Sequence, residues 1–318
     1  MGVVYLARQL EPIRRDVALK LVKPEMDSKQ VLARFESERQ ALAMMDHSNI
    51  ARVFDAGTST TGRPFFVMEL VDGIPITNYA NSHRLTIRER IELIIPVCKA
   101  IQHAHQKGVI HRDIKPSNVL VAMHDGHAEP KVIDFGLAKA VGHQLTDTTM
   151  ATMLGSVVGT LDYMSPEQAG LGRNDDVDTR SDVYSLGAVL YEMLTGAIPI
   201  RIDRPQDADL LERLTQIREQ IPVPPSVRLR KSTTLADAAT KRRSEPSPLP
   251  KLIERELDWI VMKTLDKDRG RRYETVNGLT RDLERYLEGE PLASASRPFG
   301  TTMEITGDTA RIRLQPRH

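Results

Sequence analysis

The stretch His111-Arg112-Asp113-Ile114-Lys115-Pro116-Ser117-Asn118, answered at short range by Asp134-Phe135-Gly136, constrains this chain more than any other feature. The first stretch places a carboxylate, a lysine and an amide within one loop. The second adds another carboxylate at a turn flanked by glycine. Two acids, a lysine and an asparagine on neighbouring loops suit a metal-bound polyphosphate and a hydroxyl that is to be activated.

The 318 residues are 40% hydrophobic and 27% charged, which is enough for a sizeable core in one large two-lobed domain or two ordinary ones. A formal net charge of +1 gives no reason to invoke nucleic acid. Cys98 is the only cysteine, so an intramolecular disulfide is excluded and a reducing compartment is consistent. No apolar run approaches the roughly 18–20 residues that a membrane-spanning helix needs, and the N-terminus lacks the pattern of a signal peptide. The expectation is a soluble, cytoplasmic chain whose oligomeric state the sequence leaves open.

Val3 to Leu6 and Val17 to Val22 predict a hairpin, with Ala18 and Lys20 on the opposite parity to Val17 and Leu19. Ser28 to Met45 predicts a helix in which Val31, Phe35, Leu42 and Met45 form an apolar stripe. Glu38 falls on that stripe, and a buried carboxylate needs a partner. Lys20 is the natural one; in the alternative, Glu38 sits at the stripe's edge in water and Lys20 is a solvated strand lysine. Arg52 to Ala56 and Phe65 to Leu70 predict two more strands. Thr86-Ile87-Arg88-Glu89 is a capping box that opens a helix to about Lys107, with Pro96 inside it. His103 and His105 lack acidic or cysteine companions and read as structural. Val119 to Ala122 and Lys131 to Ile133 read as short strands about a turn from His124 to Pro130. Leu137 to Thr160 reads as a mobile loop. Ser181 to about Leu194, Asp207 to Gln220, Leu252 to Leu265 and Thr275 to Leu287 read as helices. The stretch from Ile221 to Pro250 reads as a solvated insertion, with a docking patch on Lys241, Arg242 and Arg243 as the alternative.

The pattern H-R-D-x-x-x-x-N followed by D-F-G is a signature set of the protein kinases, and the sequence resembles that family at both sites. Lys115, two places after Asp113, is the serine/threonine-type arrangement, and the bacterial Hanks-type kinases are the branch implied. The resemblance implies an α+β, two-lobed fold. Residues 1–71 would form a small β-rich N-lobe ending in a hinge, residues 72–290 a mainly helical C-lobe, and residues 291–318 a polar tail. It also implies ATP and Mg²⁺ as cofactors, protein substrates and a signalling role.

By the same resemblance, Val17-Ala18-Leu19-Lys20 is the strand whose lysine holds the α- and β-phosphates and pairs with Glu38. Met68 is the gatekeeper, a role compatible with core filling. Glu69-Leu70-Val71 is the hinge whose backbone binds adenine. Val4 and Ala18 cover the base and Leu120 lies beneath it. Asp113 accepts or orients the substrate hydroxyl proton, Lys115 contacts the γ-phosphate, and Asn118 and Asp134 hold magnesium. Asp182 braces the H-R-D backbone, the alternative being a plain first-turn aspartate. Arg272 pairs with Glu167. Thr152, eight residues before Thr160, resembles the phosphorylated threonines of bacterial relatives, with Thr149 and Ser156 as the next choices. Arg112 is the matching phosphate partner.

Ser165 and Ser48 stand where the family more often has alanine and proline. The Gly-rich loop is matched only from its last glycine, Gly2, in Gly2-Val3-Val4. The expectation is a truncated N-lobe that grips nucleotide more weakly, and the alternative function is a catalytically impaired, kinase-fold scaffold module.

Overall fold

The computed structural model describes residues 3–21, 44–60, 62–135, 161–170, 177–200 and 210–293, and the strand residues 305–307 and 310–312. Gly2, Glu38, Gly136 and Thr152 lie outside the described residues, as do residues 28–43 of the expected helix and the whole of the expected loop from Leu137 to Thr160.

Four strands, β1 (Val3–Gln9), β2 (Arg15–Leu21), β3 (Val53–Thr58) and β4 (Pro64–Glu69), form an antiparallel sheet in the order β1-β2-β4-β3. The predicted hairpin is therefore present, with Val4 opposite Lys20 and Leu6 opposite Ala18. Parity does not translate into one wet face, because Val17 and Lys20 are both buried although they point to opposite sides of β2. The sheet is covered on each face at that strand, which is how a lysine comes to be buried there.

Beyond the hinge, β5 (Ile74–Pro75), β6 (Val119–His124) and β7 (His127–Val132) form a second antiparallel sheet. The turn between β6 and β7 is only Asp125-Gly126, with φ of 48° and 79°. Asp-Gly is the pair suited to a two-residue hairpin turn with positive φ at both positions. The broader turn expected from His124 to Pro130 is corrected accordingly, since Pro130 sits within β7.

Helices α1 (Ile76–Ser82) and α2 (Ile87–Gln106) follow β5. The capping box of α2 is closed both ways: Glu89 N–H donates to Thr86 Oγ1 at 3.3 Å, and Thr86 N–H donates to Glu89 Oε2 at 2.7 Å. The helix continues through Pro96 and buries Ile91, Ile94, Val97 and Ile101 against the core. Helix α3 (Thr179–Thr195) runs through the centre of this lobe with nearly every side chain buried. It ends where Gly196 adopts φ of 81° and donates to Glu192 O at 2.7 Å. Only a residue without Cβ adopts that cap at no steric expense.

After α4 (Leu210–Glu219), the stretch read as a solvated insertion is instead three short helices: α5 (Pro225–Arg230), α6 (Leu235–Thr240) and α7 (Leu249–Ile253). Ser226, Leu229, Ala239 and Leu249 belong to the buried interior. The alternative docking patch is corrected as well. Arg242 is only 1% exposed and donates to the carbonyls of Leu194, Ala238 and Met193 at 2.6–2.9 Å. Arg90 meets the carbonyl of Met193 from the other side, at 3.1 Å. The last carbonyls of α3 carry the negative end of its dipole, so two buried guanidinium groups are held there through backbone oxygens. Lys241 and Arg243 pair with Asp237 and Glu89.

The remaining helices are α8 (Glu256–Thr264) and α9 (Val276–Glu288). The single helix expected from Leu252 to Leu265 is broken at Glu254-Arg255, where Arg255 has φ of 80°. The segment after α9 begins inside the fold: Leu292 is buried and Ala293 N–H donates to Asp282 Oδ1 at 2.9 Å. Further on, β8 (Ile305–Gly307) and β9 (Ala310–Ile312) pair antiparallel. No described helix is long and apolar enough to cross a membrane.

Candidate active site

The loop from His111 to Asn118 is shaped by one buried carboxylate. Asp182, in the first turn of α3, accepts the backbone N–H of His111 through Oδ2 and that of Arg112 through Oδ1, both at 2.8 Å. His105 Nε2 meets the same carboxylate at 2.7 Å, so this histidine has the acidic companion that its sequence setting did not show. Asp182 is fully buried, which strengthens these charge-assisted bonds. The brace holds Arg112 at φ of 62°, a conformation that a side chain resists and that surrounding contacts must impose.

That bend points Asp113 toward the far end of its own loop. Its Oδ2 accepts from Lys115 Nζ at 2.9 Å and from Asn118 Nδ2 at 3.1 Å. The Asn118 amide also donates to the Asp113 carbonyl at 2.8 Å. With Nδ2 spent on Asp113, the amide presents Oδ1, a hard oxygen donor, away from the loop. A short 3₁₀ turn (Pro116–Asn118) fixes this arrangement.

The second carboxylate arrives on β7. Asp134 follows its end by two residues and has φ of 60°. Its Oδ1 receives the ammonium of Lys20 from β2. Lys20 is 5% exposed, and burial pulls its pKa down to about 8, against the Asp113 carboxylate and together with the Lys115 ammonium. It remains mostly charged at neutral pH. The four charged groups Lys20, Asp113, Lys115 and Asp134 thus occupy one electrostatic neighbourhood.

The apolar side of the cleft is equally defined. Met68, on β4, is buried, stands opposite Ala18 in register and lines a small apolar cavity with Phe66, Ile50, Asp134 and Phe135. Phe135 packs its ring 4.7 Å from that of His111. Leu120 lies half-buried on β6, and Val4 on the edge strand is 54% exposed. Glu69 ends β4, and among the described residues no backbone hydrogen bond engages Val71 just beyond it.

A model of the protein kinase domain matches residues 1–282. The chain belongs to the protein kinase family. The kinase is 36% identical to the serine/threonine-protein kinase PknB of Mycobacterium tuberculosis over 92% of this chain and 42% of that protein. It is 37% identical to PknB of Mycolicibacterium smegmatis over 91% of this chain and 41% of that protein. A probable serine/threonine-protein kinase of Streptomyces coelicolor is 34% identical over 93% of this chain and 39% of its own length. The chain thus spans about two fifths of the curated relatives it matches. The crystal structure of the M. tuberculosis PknI kinase domain aligns with a TM-score of 0.60 at 24% identity, covering 91% of each chain, and shares the fold.

The kinase's activation-segment end is tied down as its sequence implied. Arg272 donates to Glu167 Oε1 and Oε2 at 2.7 and 2.8 Å, a bidentate pair in which Arg272 is buried and Glu167 largely shielded. Gln168 was not singled out in the sequence. Its Nε2 donates to the Arg112 carbonyl at 2.8 Å while its Oε1 accepts Ser165 N–H and Oγ–H, both at 3.1 Å. The spacing Ser-x-x-Gln is the signal that could have found it, since it matches a capping box.

Proposed function

We propose that this kinase domain transfers the γ-phosphate of ATP to serine and threonine hydroxyls of protein substrates, with Mg²⁺ as its metal, in cytoplasmic signalling. The observation that carries the reading is the Asp113 carboxylate, held in one orientation by Lys115 and Asn118, in the same cleft as the Lys20–Asp134 pair. The donor set fits magnesium: an Asp134 carboxylate and an outward Asn118 Oδ1 are oxygens suited to a hard cation that keeps the rest of its shell for water and phosphate. When bound, the metal neutralises charge on the transferred group.

The chain's own groups do the positioning. The Lys20 ammonium, buried and charged, meets the α- and β-phosphates. Lys115 leaves Asp113 for the γ-phosphate. Asp113, relieved of that partner, takes the hydroxyl of the substrate and its proton. Ala18, Met68 and Leu120 pack on adenine with Val4 above it, and the backbone of Glu69 and Val71 addresses its polar edge. By the family resemblance, Gly2 and Glu38, outside the described residues, belong to the same proposed set. The free, buried thiol of Cys98 suits a reducing, cytoplasmic setting. Four charged groups and the Asn118 amide gathered in one cleft support a catalyst over a scaffold. In Asp113→Asn, kcat for protein phosphorylation falls about a hundredfold or more while Mg-ATP affinity changes little. Unchanged turnover contradicts the assignment.

Regulation by phosphate on the activation segment is part of the proposal. Among the described residues, Arg112 Nε is buried with no hydrogen-bond partner. A guanidinium left in that state suits a phosphate, which would give it charge-assisted bonds. Thr152 is the proposed site. Phosphopeptide mapping after incubation with Mg-ATP is expected to place a phosphate between Thr146 and Ser156. An active enzyme without one there refutes the regulatory role.

A further inference from the structure

Three segments meet beside the hinge. The segment from His47 to Arg52 lies along β7: Asn49 Nδ2 donates to Pro130 O at 2.8 Å, Val132 N–H donates to Asn49 O at 2.8 Å, and Ala51 N–H donates to Val132 O at 3.0 Å. Glu69, the first hinge residue, closes this seam from above. Its N–H donates to Arg52 O at 2.8 Å and its Oε2 accepts Arg52 N–H at 3.1 Å. Its Oε1 reaches across to Lys131 Nζ on β7 at 3.0 Å. One carboxylate therefore ties the end of the N-lobe sheet to a strand of the C-lobe.

The position of Lys131 gives that tie its reach. It lies opposite Leu120 in the β6–β7 register, so the two side chains share a face. It also precedes Asp134 by three residues on the strand that delivers this carboxylate. The pair is well shielded, with side-chain exposures of 18% for Lys131 and 26% for Glu69, so water and salt weaken it less than a surface pair.

We infer that the Glu69–Lys131 ion pair is a positioning device for nucleotide binding, fixing the hinge backbone relative to the Leu120 floor and the strand leading to Asp134. This rests on the reading of the cleft as an ATP site. Neither side chain touches the reacting atoms. Lys131→Met frees the hinge to shift, so affinity for Mg-ATP falls while a chemical step run at saturating nucleotide is largely preserved.

The test is titration calorimetry with Mg-ATP on the full 318-residue chain, with steady-state kinetics alongside. Lys131→Met weakens binding about fivefold and raises KM for ATP to match, with kcat within about twofold of wild type, and Glu69→Gln weakens binding to the same extent. Glutamine retains an acceptor for Arg52 N–H, so that variant isolates the charge. The double variant loses no more than either single one, because both remove the same interaction. Lys131→Arg restores affinity. Unchanged affinity in both single variants, or additive losses in the double, overturns the inference. So does a lowered melting temperature with affinity intact, since that marks a merely structural pair. Wild-type chain that fails to bind Mg-ATP would overturn the ATP-site reading itself, a result distinct from all of these.

Discussion

Asp134→Asn gives a folded protein whose turnover is lower by at least about a thousandfold, the scale of losing one principal electrostatic element from a transition state. Asparagine keeps the shape of the side chain but removes the charge that a metal needs. The structure adds a second consequence, because Asp134 is also the carboxylate that meets Lys20 in a site where the ammonium is only 5% exposed. Loss of a buried partner can be severely destabilising. Here it is bounded, since Lys20 can release its proton instead. Burial has already drawn its pKa down to about 8, so giving up that proton near neutral pH costs little. Thermal melting is therefore expected to shift by only a few degrees while steady-state kinetics show the activity gone. Near-wild-type turnover, or a variant that does not fold, contradicts this account of Asp134.

Arg272→Met acts on the other link, from packing to stability. Burial alone pushes the Glu167 carboxyl up, but the bonds and charge of Arg272, with the Ser181 hydroxyl, outweigh it and hold it below the ordinary carboxylate range. Without Arg272, the largely shielded carboxylate keeps, among the described residues, the Ser181 hydroxyl at 2.5 Å and its own backbone N–H, with no charge to balance it. The carbonyls of Asp266 and Arg180, which Arg272 meets at 2.7 and 3.0 Å, lose their donor. The expected loss is about 3–5 kcal/mol near neutral pH. The sign with pH follows from the lowered pKa. In wild type, the pair's contribution is present above the unfolded carboxylate pKa and disappears as pH falls through the lower folded value. The difference between variant and wild type therefore shrinks as the medium is acidified. Denaturant unfolding at neutral and acidic pH measures both, and a pH-independent difference contradicts the ionic account.

These residues also show what the sequence made legible. Asp113, Asn118, Asp134, Asp182, Glu167 and Arg272 sit in short stretches that resemble protein-kinase motifs, and it is that resemblance, not local spacing, that implied the contacts of Asp182 and Arg272 with partners far away in the chain. The capping box at Thr86 was readable for a different reason: a local hydrogen-bond pattern leaves a local signal. The stretch from Ile221 to Pro250 was misread because α5, α6 and α7 have six, six and five residues. Helices so short show no full apolar stripe, and their prolines read as loop signals although α5 and α7 carry proline in the first turn, where its missing N–H does no harm. Burial of Arg242 was hidden too, because its partners are carbonyls on α3, far away in the chain. The contact of Lys20 with Asp134 and that of Glu69 with Lys131 join groups from opposite lobes, and composition and periodicity carry no trace of either.

The most direct measurement of the central claim is phosphoryl transfer itself. Purified chain is incubated with ATP labelled at the γ-phosphate, Mg²⁺ and a protein substrate, and the acceptor residues are identified by phosphoamino-acid analysis. The account predicts label on serine and threonine, lost on chelating the metal and lost again in Asp113→Asn. A folded wild-type chain that binds Mg-ATP but transfers no label to itself or to any protein would contradict it.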